Sequence, residues 1–334
     1  MKKFFIAIGS IIAILAVIIL IGGSYFAKQF NQMLKNGGFV VEWNTTDGEI
    51  LKDLSYGESY RNTYDLYLPA NKKPKALMLF IHGGSWNSGN KEDMAWAAQR
   101  YAKEGYVTAS INYSRLGADS IVIADKVTKT SIESMLKEIN TSIEAIKTKC
   151  SELGCQLEQM AIGGYSAGGH LAMLYASRYT EQSAIPIKFQ ISWVGPSNFN
   201  LLFATPDIKR PIEGPHAEQV NKFIKEMSNF MYALSGEEIS LEELTKDRVI
   251  AIKSRVSPVD VAHTTTPPAV LAYGGKDRLV NAEHGTQMAN KLKELGIDQH
   301  LIIFPESGHE LGRDPECTDS LQRVILDYCE KYFD

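Results

Sequence analysis

Gly164-Tyr165-Ser166-Ala167-Gly168 combines residue types and spacing that describe a nucleophile. A serine hydroxyl attacks poorly until a neighbouring base takes its proton, and that base needs a third group to orient it. The G-x-S-x-G pattern alone says little, since roughly one chain in seven of this size contains it by chance at ordinary Gly and Ser frequencies. Its surroundings carry the weight. An apolar run, Met160 to Ile162, enters the motif, and a helix-period segment beginning Gly168-Gly169-His170-Leu171 leaves it. A strand, turn and helix in that order stand the serine on a sharp bend, and the glycines leave room for the bend and for close helix packing. The helix N-terminus beneath also favours developing negative charge.

The partners are sought in chain order: serine, then Asp or Glu, then His, each at the end of a later strand. Tyr273-Gly274-Gly275-Lys276-Asp277 follows the apolar run Pro268 to Tyr273, and Ser307-Gly308-His309 follows His300 to Phe304. Asp277 and His309 are therefore the expected acid and base beside Ser166. Asp260 is the rival acid, but it precedes its strand and belongs at the wrong edge of a sheet. His82 and His170 flank motif glycines and read as structural, His284 falls in a helical pattern, and His216, His263 and His300 lack the strand-end position. Upstream, Phe80-Ile81-His82-Gly83-Gly84-Ser85-Trp86 ends another apolar run. Paired glycines there let the backbone curl so that its N–H groups face a cavity. Those of Gly83 and Gly84, with that of Ala167, are the expected oxyanion-hole donors.

These side chains need a scaffold that brings strand ends to one rim. Phe39–Trp43, Ile50–Leu54 and Tyr64–Leu68 alternate apolar with polar residues, as half-exposed antiparallel strands do. Ala76–Ile81, Tyr106–Ile111, Met160–Ile162, Phe189–Val194, Pro268–Tyr273 and His300–Phe304 are nearly continuous in apolar residues, the pattern of strands buried on both faces of a parallel sheet. Helix-period segments separate them over Lys91–Glu104, Thr130–Lys149, Gly168–Tyr179 and Glu283–Leu295, and another closes the chain over Cys317–Tyr332. The alternation predicts an α/β fold with one mostly parallel sheet and helices on both faces. Residues 197–254 break the rhythm with Pro206, Pro211 and Pro215, then an apolar-periodic stretch and an acidic patch. That length suits an inserted helical cap rather than a plain connection.

The chain has 334 residues, 44% of them hydrophobic and 22% charged, with a formal charge of −4. That is an ordinary globular balance without the clustered Lys and Arg of a nucleic-acid binder. Lys2 and Lys3 precede an apolar run from Phe4 to Gly23, long enough to cross a hydrocarbon core of roughly 30 Å as a helix. It exceeds the usual apolar core of a cleaved signal. The expectation is a signal-anchor over residues 1–28, with the catalytic domain over 29–334 held outside the cytoplasm; cleavage and secretion is the alternative. Cys150 and Cys155 are close enough in sequence for a local disulfide, with buried thiols an equal reading.

Taken together, His82-Gly83-Gly84-Ser85-Trp86, Asn112-Tyr113, Gly164 to His170, Gly274 to Asp277 and Gly308-His309 resemble the esterase branch of the α/β-hydrolases. That branch includes hormone-sensitive-lipase-like esterases and bacterial acetyl-xylan or feruloyl esterase-like enzymes. The resemblance spans about Asp65 to Phe333. It implies the α/β-hydrolase fold, the trio Ser166, Asp277 and His309, a small-molecule ester substrate and no cofactor. Ser85 stands where the lipase-like pattern has a third glycine, which tilts the likeness toward the xylan-esterase-like group. Asn112-Tyr113-Ser114-Arg115 carries one residue more than the usual N-Y-R. Two other functions fit the same residues: hydrolysis of an amide or peptide bond, and a non-catalytic binding module.

Overall fold

A computed structural model of the chain describes residues 32–70, 76–117, 119–123, 126–203, 217–240 and 242–333. The expected signal-anchor at 1–28 lies outside these residues. Among the described residues no helix is long and apolar enough to cross a membrane.

Eight strands form one sheet: β1 (Gly48–Ser55), β2 (Thr63–Pro69), β3 (Ala76–Ile81), β4 (Val107–Ile111), β7 (Gln159–Tyr165), β8 (Ile187–Trp193), β9 (Ala269–Gly274) and β10 (Gln299–Phe304). A separate two-stranded hairpin, β5 (Ser120–Ile123) with β6 (Lys126–Lys129), projects after β4. The order across the large sheet is β1-β2-β4-β3-β7-β8-β9-β10. Strand β2 runs antiparallel to both its neighbours, and every other pairing is parallel.

The continuous apolar runs follow from burial on both faces. Along β3, Leu77, Leu79 and Ile81 point into one core, while Ala76, Met78 and Phe80 point into the other. The first core is closed by α2 (Ile132–Glu152) and α3 (Ala167–Tyr179), and the second by α1 (Ala95–Lys103) and α9 (Pro315–Tyr332). Helix α8 (Glu283–Glu294) packs over β9 and β10. Between β8 and β9 the chain forms α4 (Phe199–Leu202), α5 (Ala217–Ser235), α6 (Lys246–Arg255) and α7 (Pro258–Val261).

Four expectations need correction. Strand β2 is buried from Tyr64 to Pro69 rather than half-exposed, and β10, at the sheet edge, leaves His300 and Ile303 exposed rather than buried on both faces. Residues 39–43 form no strand. Phe39 is instead buried against Trp96 and Phe304, with ring centroids 5.2 and 6.4 Å away. Side chains occupy the carbonyls a ladder would use: Arg100 donates to Gly38 O (2.6 Å) and Phe39 O (3.2 Å), and Lys103 to Glu42 O (3.0 Å). The segment read as one helix over Lys91–Glu104 begins as a 3₁₀ turn, Lys91–Met94, before α1. Of the two readings left open for Cys150 and Cys155, the buried thiols hold, at the end of α2 and just beyond it.

Lys91 fixes the start of that turn and so the far end of the loop after β3. Its ammonium is buried and lies 2.9 Å from the buried carboxylate of Asp65 on β2, with the exposed Asp53 and Glu92 at 2.9 and 2.5 Å. These carboxylates raise the Lys91 pKa against the opposing effect of burial. Removing one partner of a buried pair leaves the other charge without compensation, at a cost of about 3–5 kcal/mol. Lys91→Ala is therefore expected to lower the unfolding free energy by that amount and the denaturant midpoint with it, whereas Glu92→Ala, at an exposed site, changes the unfolding free energy by less than about 1 kcal/mol. Equal midpoints for the two variants in a urea titration would contradict this reading.

Candidate active site

Ser166 sits between β7 and α3 with φ 54° and ψ −119°, a backbone conformation that an L residue adopts only under constraint. Its N–H donates to Trp193 O at the end of β8 (2.8 Å), and its carbonyl accepts from His170 N (3.0 Å). The flanking glycines are needed because backbone passes where side chains would be. A Cβ on Gly168 would lie 2.0 Å from Ile81 O, and one on Gly164 would lie 2.3 Å from the carbonyl carbon of Gly168. The turn is possible only with both positions bare.

The loops after β9 and β10 bring the other two groups in. Asp277 is buried, and its Oδ1 accepts from the N–H groups of Leu279 (2.7 Å) and Val280 (3.0 Å). Its Oδ2 faces His309 Nδ1 at 2.7 Å, and His309 Nε2 lies 2.9 Å from Ser166 Oγ. With the acid fully engaged, Nδ1 carries the proton and Nε2 presents its lone pair to the hydroxyl. The two loops are tied to each other by Gly275 N to Phe304 O (2.8 Å) and Lys276 N to Ser307 O (2.9 Å). The buried phenol of Tyr165, kept protonated by a pKa that burial raises far above its usual value, donates to the carbonyl of His309. The arrangement can pass a proton from a hydroxyl to an imidazole whose tautomer is fixed.

Gly83 comes beside the serine: a Cβ built there would lie 3.2 Å from Ser166 Cβ. Gly84, Ser85 and Trp86 follow with φ of 107°, 51° and 62°, three consecutive residues in the left-handed half of the map. Ala167 is the first residue of α3, so its N–H has no acceptor within the helix. Gly83 and Ala167 thus stand next to Ser166, with Gly84 following Gly83 in the chain.

The remaining histidines are placed elsewhere. His82 is buried against Tyr113, with ring planes 10° apart and centroids at 4.2 Å, and burial lowers its pKa to about 3. His170, lowered by burial to about 4, accepts from Trp86 Nε1 (3.1 Å) on Nδ1 and donates from Nε2 to Val256 O (2.7 Å). This ties the loop after β3 to the end of α6. His284, also lowered by burial to about 4, accepts from Ser197 N at 3.2 Å. His263 Nε2 lies 2.7 Å from Ser177 O, His300 is on β10, and His216 lies outside the described residues. Asp260 is exposed in α7, ahead of β9. Arg115 pairs with Asp119 (2.9 Å) and Tyr60 (3.0 Å). Sequence reasoning passed over Arg61, a lone arginine in the turn before β2, which is buried and reaches the loop after β3. Neither its spacing nor its neighbours in sequence signal that reach.

A family model described as BD-FAE matches residues 64–292. The chain is 25% identical over 271 residues to the probable isoprenylcysteine alpha-carbonyl methylesterase ICMEL1 of Arabidopsis thaliana, covering 78% of this chain and 51% of that protein. It is 26% identical over 140 residues to the kynurenine formamidase of Danio rerio, covering 41% of this chain and 43% of that protein. The chain thus spans about half the length of the curated relatives it matches. Among solved structures, an inhibited esterase B from Lactobacillus rhamnosis superposes with a TM-score of 0.62 at 14% identity, over 95% of this chain and 96% of that one. At that identity the likeness bears on the fold alone, which is that of an α/β-hydrolase. By the match over most of its length, the chain belongs to the BD-FAE family.

Proposed function

We propose that the protein is a serine carboxylesterase that hydrolyses small or medium acyl esters through an acyl-enzyme. The observation that carries this reading is the unbroken run of hydrogen bonds from Asp277 through His309 to Ser166 at the strand ends, with Gly83 alongside. Relatives named as esterases support the choice of an ester bond. In the first half-reaction Ser166 Oγ attacks the ester carbonyl carbon while His309 Nε2 takes the hydroxyl proton. Asp277 stabilises the imidazolium that forms. The carbonyl π electrons move onto oxygen, and that oxyanion meets the N–H groups of Gly83, Gly84 and Ala167. Each such donor is typically worth about 2.7–4 kcal/mol in the transition state. Collapse breaks the bond to the alcohol, which leaves with the proton from His309. Water then enters with His309 again as base, and the acid is released as Ser166 regains its proton.

Residues 197–254 act as the cap over this site, with Phe199 resting on the Trp86 ring at a centroid distance of 5.4 Å. The run Phe4–Gly23 serves as a signal-anchor that holds the catalytic domain outside the cytoplasm. Amide hydrolysis is a second reading, favoured by the similarity to a formamidase.

Ser166→Ala is expected to abolish turnover of a short-chain chromogenic ester, and labelling by a fluorophosphonate, while thermal unfolding stays close to wild type. Turnover that survives the substitution overturns the assignment. Asp277→Asn keeps the shape but loses the group that fixes the His309 tautomer, and kcat should fall by about 10⁴. A fall of less than tenfold would remove Asp277 from the mechanism. Matched acyl esters and amides separate the two bond types: the ester reading requires the larger kcat/KM on the esters, and the reverse order favours the second reading.

A further inference from the structure

Behind the glycine loop lies a buried polar cluster that the chemistry above does not use. Arg61 is only 4% exposed, yet four acceptors surround its guanidinium. It donates to Asn90 Oδ1 (2.6 Å), Gly89 O (3.0 Å) and Tyr113 O (3.2 Å), and its Nη2 lies 3.2 Å from His82 Nε2. Asp119 stands 4.0 Å away and offsets its charge. A guanidinium has donors only, so His82 Nε2 must accept, and the ring proton must sit on Nδ1. From there it points at Gly83 O, 2.7 Å away. His82 is neutral at working pH, because burial holds its pKa near 3, so it has one proton to place, and Arg61 on one side and Gly83 O on the other both put it on Nδ1.

The consequence reaches the reacting carbonyl through one peptide plane. The carbonyl of Gly83 and the N–H of Gly84 belong to the same planar trans unit and point in opposite directions. Holding the oxygen toward His82 turns the N–H away from His82. Water is kept from the controlling bond: a Cβ on Gly89 would lie 2.6 Å from His82 Nδ1 and 2.5 Å from Gly83 O, so the loop backbone itself covers it. The stacked Tyr113 ring, whose hydroxyl donates to His82 O (3.0 Å), fixes the imidazole plane. The same loop carries the three left-handed residues Gly84, Ser85 and Trp86, a costly conformation that relaxes unless it is held.

We propose that Arg61 is a positioning residue for the oxyanion hole: by donating to His82 Nε2 it keeps the imidazole proton on Nδ1, which holds the Gly83 carbonyl and aims the Gly84 N–H at the oxyanion. This rests on Gly84 being a donor in the esterase reading. Without Arg61, His82 can move its proton to Nε2. Nδ1 then faces Gly83 O lone pair to lone pair, and the peptide turns.

Two measurements test it, one of them independent of activity. In wild-type protein, ¹⁵N-resolved NMR of His82 should show the neutral tautomer protonated on Nδ1; protonation on Nε2 overturns the proposal. Arg61→Ala should lower kcat by about 10²-fold, the scale of a displacement near 1 Å at the reacting centre, with KM nearly unchanged, since a donor used in the transition state has been lost. Added guanidinium should restore part of that kcat, which a general loss of packing would not allow. A folded Arg61→Ala with wild-type kcat overturns the proposal. If Arg61→Ala does not fold, the wild-type tautomer decides. Failure of the esterase reading itself is distinct, because it appears as turnover surviving Ser166→Ala while the His82 spectrum is unchanged.

Discussion

The left-handed backbone at Ser166 is the constraint on which the rest of the site depends. A conformation of this kind costs about 1–3 kcal/mol and persists only where its surroundings over-determine it. Here they do so from three sides. The Ser166 N–H is taken by Trp193 O on the neighbouring strand, α3 begins immediately after it, and Ile81 O fills the space that a side chain at 168 would need. Because β3, β7 and β8 run parallel and adjacent, the bend is aimed by the sheet rather than by a flexible loop. The hydroxyl is lifted toward the loops of β9 and β10, where the imidazole and carboxylate wait.

Proton placement is the second theme. Besides His309, three buried histidines each have one ring nitrogen that accepts from a group that can only donate: Arg61 to His82, Trp86 to His170 and the Ser197 amide to His284. Burial holds all three neutral, with pKa values lowered to about 3 or 4. His82 and His170 act as cross-links with a defined donor end and acceptor end, within the loop after β3 and from that loop through α3 to the end of α6, while His284 ties the start of α8 to the insertion after β8. His309 differs in its partners. It alone lies between a carboxylate and a hydroxyl, and so it is the ring able to gain and lose a proton during a reaction.

Much of this was readable in the sequence for physical reasons. Strands buried on both faces have no choice but continuous apolar runs, so β3, β4, β8 and β9 were placed to within a residue or two, as was the edge strand β10 despite its exposed His300 and Ile303. Ser166, Asp277 and His309 were legible because a bend after a buried strand demands small residues and puts functional groups at a sheet edge. Phe39–Trp43 misled because its alternation reports a half-buried chain, which a loop pinned by Arg100 and Lys103 satisfies as well as a strand does. The β5–β6 hairpin went unread; Ile121 to Ile123 and Val127-Thr128 are β-prone, but the run is short and belongs to no larger sheet. Arg61 was illegible in principle, since its importance comes from four acceptors that are distant in sequence and converge only after folding.

The central claim is that Ser166 Oγ forms a covalent bond with the acyl group. Quenching the enzyme in acid during turnover of a short-chain chromogenic ester, followed by peptide mass spectrometry, tests it most directly. The account predicts the mass of the acyl group on the peptide containing Ser166, at a level that builds within the first turnover and decays once the ester is exhausted. Sustained ester turnover with the acyl group on another residue, and none on Ser166, would contradict it.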